Sequence, residues 1–169
     1  MSTIQLPDLL PEFEPTRATL HAYAHAVAAL PRAHAIAHPN WWHASLKVRP
    51  EGLATDPVPL PGGGTLGLMM DLRSHQVMLR TSHGADHRFD LTVGATAAEL
   101  GGMILTVAVG HGVGLEVDRS RFADDDPRPY DPAAAAAYFE AFTAMATVFE
   151  RRRASLGRRV GPAQLWPHN

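Results

Sequence analysis

Between Leu66 and Val93 the chain changes character at almost every step. Leu66, Leu68, Met70 and Leu72 alternate with Gly67, Met69 and Asp71; His87, Phe89, Leu91 and Val93 alternate with Arg88, Asp90 and Thr92. Successive side chains of an extended chain point to opposite faces, so this pattern makes one apolar and one polar face. Arg73-Ser74 reads as a tight turn, Gln76 to Thr81 as the return strand, and Gly84-Ala85-Asp86 as a second turn. Connections this short join antiparallel strands only, because parallel neighbours need a crossover of roughly a dozen residues. The stretch commits the chain to an antiparallel meander with one face that must be covered.

The cover is expected from helices. Leu20, Tyr23, Val27 and Leu30 recur at helical spacing from about Thr16. Pro31 should end or kink that helix, since proline lacks the backbone donor and crowds the preceding turn. A further turn through Ala33 to Ala37 would stop at Pro39. Thr96-Ala97-Ala98-Glu99 is a capping box, followed by Leu100, Met103, Ile104 and Val107 and by a glycine exit at Gly110 or Gly112. Asp131-Pro132 opens a third helix, with Tyr138, Phe142, Met145 and Phe149 along one side. The predicted helices span about 16–30, 96–109 and 132–155. Trp42, Ala44, Leu46 and Val48 alternate with His43, Ser45, Lys47 and Arg49 as a strand ahead of the meander, and Val113 to Val117 reads as another. Residues 1–15 form an extended arm and 157–169 a short tail anchored by Leu165 and Trp166. The expectation is one α+β domain over 1–169, an antiparallel meander of four or five strands packed against about three helices.

Composition removes several function classes. Cysteine is absent, which excludes disulfides, thiolate metal sites and cysteine nucleophiles. A net charge of −2 and no basic field beyond Arg151-Arg152-Arg153 and Arg158-Arg159 argue against nucleic acid; that run suits the negative end of a helix. No apolar stretch reaches the roughly 18 residues that cross a bilayer. The N-terminus lacks a signal-peptide pattern, so a cytoplasmic protein is expected.

Pro39-Asn40-Trp41-Trp42-His43, Gly52-Leu53-Ala54-Thr55, Asp71 with His75, Ser82, Gly112-Val113 and Tyr130-Asp131 occur in the order found in one family. Through these motifs the chain resembles the bacterial domain-of-unknown-function 5996 family, from about Leu9 to Pro162. The resemblance implies candidate positions and no mechanism. Gln164 departs from it, standing where a histidine is common, and the chain stops at Asn169 where the family continues with an aromatic- and histidine-containing segment.

The chain holds ten histidines, the side chain that titrates nearest neutral pH. His21 and His25, His34 and His38, and His83 and His87 are each spaced as a metal pair or as solvated polar residues. His87 is on the core-facing parity, and His111 fits a helix C-terminal cation. No standard metal signature, nucleophile elbow or phosphate loop is present, and Pro61-Gly62-Gly63-Gly64 is a hairpin loop, so no metal or cofactor is assigned. The remaining constellation is His43, Asp71 and His75 as catalytic acid–base groups, expected to approach one another on the sheet. Trp41, Trp42, Arg49, Asn40 and Tyr130 would line a ligand site beside them. Tryptophan offers a stacking wall, histidine a proton carrier and arginine a carboxylate clamp. Such a site suits a small-molecule binder or enzyme for a polar or aromatic metabolite. The alternative is a non-catalytic interaction module, with a homodimer across an exposed face.

Overall fold

A computed structural model describes residues 13–156 and 160–167. In chain order the elements are α1 (Glu14–His34), β1 (Leu46–Val48), β2 (Gly52–Ala54), β3 (Val58–Pro59), β4 (Thr65–Asp71), β5 (Gln76–Thr81), β6 (Asp86–Asp90), α2 (Ala97–Gly110), α3 (Pro132–Leu156) and β7 (Gln164–Leu165). Short 3-10 turns lie at Trp42–Ala44 and Arg119–Phe122.

The meander forms with the parity its alternation demands. Leu66, Leu68 and Met70 of β4 stand opposite Thr81, Leu79 and Val77 of β5, and Val77 stands opposite Phe89 of β6. Leu66, Leu68, Met70, Val77 and Leu79 are all buried, against Tyr23, Val27 and Leu30 of α1 and Leu100 and Ile104 of α2. Each such side chain contributes roughly 1.5–3 kcal/mol by leaving water. The sheet runs β6-β5-β4-β2-β1-β7, with β3 paired to the start of β4, and every pairing is antiparallel. The architecture is α+β, with seven strands among the described residues rather than four or five.

Several local expectations change. The helix runs through Pro31, because Ala35 N–H closes on Pro31 O and the buried Leu30 and Pro31 hold the last turn against the core. It begins at Glu14, so the end of the expected arm is helical; the rest of that arm, residues 1–12, lies outside the described residues. The capping box of α2 is present, Thr96 Oγ1 accepting from Glu99 N–H and Glu99 Oε2 from Thr96 N–H. Val113 to Val117 forms no strand: Val113 N–H returns to Ala108 O and Val117 N–H to Leu115 O, so local turns take its donors. The stripe on α3 packs only in its first half. Phe139 is buried and Tyr138 and Phe142 half-buried, whereas Met145 and Phe149 are exposed. Gln164-Leu165, read as part of a tail, adds an edge strand to β1.

Candidate functional site

The segment before β1 is a knot of short contacts, not the expected strand. His38 donates its N–H to His43 Nδ1 at 3.1 Å, and its ring lies 4.3 Å from Trp42 with the planes 5° apart. Trp41 N–H bonds to His38 O, and Ala44 N–H to Trp41 O, which folds the chain into the 3-10 turn. That turn breaks the period of two. His43 therefore faces inward at 5% exposure instead of onto the polar face. Its Nδ1 accepts a backbone N–H, so the neutral ring carries its proton on Nε2. Burial lowers its pKa; Asp56 opposes the shift, while Lys47, Arg32 and His38 add to it.

Trp41 closes this knot from outside. It has φ 59°, a left-handed conformation that costs a bulky residue on the order of 1–3 kcal/mol. Its indole is 55% exposed and lies 5.5 Å from the His43 ring. The Arg32 guanidinium sits 5.8 Å over it. Arg32 Nη2 is buried with no hydrogen-bond partner, and burial, with Arg121 nearby, lowers the pKa of the group while Asp118 opposes this. Lys47 Nζ is engaged by Asp56 at 2.8 Å and by Trp42 O at 2.5 Å. Ser45 Oγ lies within hydrogen-bond distance of Gln164 Oε1 at 2.6 Å, so Gln164 is tied to this segment.

A second polar centre lies at the other end of the sheet. Asp71 Oδ1 accepts from Arg73 N–H and Ser74 N–H, each at 2.9 Å, and shapes a four-residue turn over Leu72–His75. The strand partner of Asp71 is Gln76, and His75 sits inside the turn with φ 56°. His75 Nδ1 lies 3.0 Å from Tyr130 Oη. Thr19 Oγ1 donates to Pro129 O, and Thr16 Oγ1 accepts from Asp131 N–H, so α1 fixes the chain on both sides of Tyr130. Burial raises the Tyr130 phenol pKa, with Tyr23, Asp90 and Asp71 adding to it. The same cause pushes Tyr23, whose Oη donates to Ala95 O, up to about 12.

The sheet register keeps the two centres apart. Arg49 and Gly52 exchange both backbone hydrogen bonds, and Gly52 stands opposite Asp71. His43 lies six residues before Arg49, a separation on the order of 15 Å along the strand direction. His43 thus does not join Asp71 and His75, because sequential strands pair here in a register that puts them at opposite ends. Arg49 is also remote from Trp41; it lines an open groove of about 780 Å³ with Lys47, Asp56, Glu150 and Arg151. Asn40 is exposed, its N–H bonded to His38 Nδ1, and Trp42 lies in a separate hollow with Phe149 and Trp166. Of the expected set, His43 with Trp41 and Trp42, and Asp71 with His75 and Tyr130, are brought together as two groups. Arg32 was not among the expected residues. Nothing in its sequence neighbourhood marks it, since its partner is nine residues on, beyond the helix end.

Among the described residues no three His, Asp or Glu side chains gather as a metal site. Two imidazole pairs do meet. His21 and His25 lie 4.7 Å apart on α1, with His21 Nε2 against Pro167 O, and His87 and His111 approach at the far edge of the sheet. No helix among the described residues is long and apolar enough to cross a membrane.

The model of a family described as one of unknown function (DUF5996) matches residues 6–169. No curated protein and no solved structure matches the chain.

Proposed function

The chain belongs to that family, DUF5996, and from its geometry we propose that it binds a small planar anion, such as an aromatic carboxylate, at Trp41 and Arg32. The observation that carries this reading is the guanidinium over an exposed indole with one nitrogen buried and unpaired. A buried donor left without an acceptor costs roughly 1–3 kcal/mol, so the guanidinium gains by turning that nitrogen outward to a carboxylate. Charge-assisted bonds to arginine are also short and directional. The strained backbone of Trp41 holds the indole outward, which suits a stacking wall. His43 serves as a bracket beneath Trp41. It does not act as a general base, since its Nδ1 is occupied and burial opposes its protonation.

A second reading is favoured by one feature. Met145, Val148, Phe149 and Leu156 form an exposed apolar line on α3, continued by Val160. Such a line suits a partner protein or a second copy of the chain. Titration of the protein with a panel of aromatic carboxylates, followed by tryptophan fluorescence, separates the readings. Saturable binding that weakens at least tenfold in both Arg32→Gln and Trp41→Ala, with unchanged circular dichroism, supports the ligand site. Saturable binding that ignores both substitutions, or no binding together with a concentration-dependent dimer, sinks it.

A further inference from the structure

We propose that His87 and His111 form a two-histidine clip for one divalent transition-metal ion, held through both Nε2 atoms with water completing its coordination. The two Nε2 atoms lie 3.2 Å apart. Two imidazole nitrogens each about 2.0–2.1 Å from a tetrahedral zinc ion stand roughly 3.3 Å apart, so the spacing already matches. The ring centroids are 5.4 Å apart and the planes 66° from one another. The nitrogens face each other almost head-on, and a rotation of each ring by roughly 35° turns both lone pairs toward a common tetrahedral point.

The scaffold makes this pair more than a surface coincidence. His87 lies within β6, opposite Leu79 of the central meander. His111 caps the C-terminus of α2, its N–H bonded to Ala108 O at 3.0 Å. The ligands come from a strand and from the residue that caps a helix, 24 residues apart. Both are half-buried, which leaves a wet side for the remaining ligands. The C-terminal end of α2 carries partial negative charge and favours a cation beside His111. In the metal-free contact one Nε2 would act as donor and the other as acceptor, the tautomers deciding which. On binding, the donor ring moves that proton to Nδ1, so both Nε2 lone pairs become available with no net proton released. Imidazole nitrogen suits zinc, copper and nickel, whereas magnesium and calcium require oxygen ligands. None of the contacts that hold the pair involves Trp41 or Arg32, so the proposal stands independently of any ligand bound there.

The test uses the full chain after chelator treatment, titrated with Cu²⁺, Ni²⁺ and Zn²⁺, with Mg²⁺ as the control. The expected result is one Cu²⁺ per chain, a raised melting temperature, and electron paramagnetic resonance hyperfine structure from two imidazole nitrogens. Affinity should fall at least tenfold in His87→Ala and in His111→Ala, and remain unchanged in His21→Ala and His83→Ala. Should an alanine variant fail to fold, His87→Gln and His111→Gln, which keep a polar side chain of similar length, take its place in the same titration. Absence of stoichiometric binding, a spectrum with fewer than two imidazole nitrogens, or affinity lost in His21→Ala instead would each overturn the proposal and leave the pair as a proton-sharing contact.

Discussion

At the scale of the residue, His43 shows how a titratable group becomes a structural one. Burial holds its pKa below the ordinary 6.5, so the unfolded chain takes up a proton before the folded one does. Its contribution to stability is therefore complete above about pH 6.5 and is lost as the pH falls below that value toward the lower folded pKa. In His43→Asn the side-chain carbonyl can still accept from His38 N–H, but nothing titrates. That variant should be less stable at pH 7 by about 1–3 kcal/mol, for the lost ring packing. Its stability should also fall less steeply than the parent's between pH 7 and 5. Urea unfolding across that range measures both quantities, and parallel slopes would place the titration elsewhere. Asp71 teaches a related point: its carboxylate looks catalytic in the sequence, yet two turn amides occupy one of its oxygens.

Two adjacent glycines in α2 make opposite predictions at the scale of the element. A glycine inside a helix is ordinarily worse than alanine by roughly 0.5–1 kcal/mol. A Cβ on Gly102 meets nothing, so Gly102→Ala should stabilise the protein by up to about 1 kcal/mol. A Cβ on Gly101 would overlap the buried Phe122 ring. Gly101→Ala should then destabilise by about 1–3 kcal/mol despite the better propensity, because overpacking outweighs it. Chemical denaturation of the two variants side by side gives the sign of each change, and equal shifts would contradict the packing described here. Gly52 is held by the same logic in the sheet, since a Cβ there would run into Met70 O of β4. The spacing of Leu20, Tyr23, Val27 and Leu30 and the Thr96–Glu99 pair were legible as helix signals because both act within one or two turns. Pro31 misleads at the same scale: its local cost is real, but burial of the last turn outweighs it.

At the scale of the whole molecule, the C-terminal segment completes the sheet. Leu165 and Gln164 pair with Leu46 and Lys47 of β1, and Gln164 reaches Ser45. Removing residues 160–169 would bare the edge of β1 and leave Leu46 without its cross-strand neighbour. We expect a loss of about 2–4 kcal/mol, comparable with removing one large core side chain, and a greater tendency to aggregate. Thermal unfolding with light scattering tests this; an unchanged midpoint would mean that β7 is peripheral.

The meander, its two faces, the three helices and the α+β class were all legible in the chain before any contact was known. Those follow from periodicities of two and of about 3.6 and from turn and cap residues, all of which act over a few positions. Tertiary structure decided the rest. Strand register put His43 at one end of the sheet and Asp71 with His75 at the other. Helix packing brought Tyr130 to His75 and Arg32 to Trp41, and strand–helix docking brought His87 to His111. Residues separated by 9 to 55 positions in those contacts leave no periodic trace in the chain, because what joins them is the burial of a shared core and not any local preference.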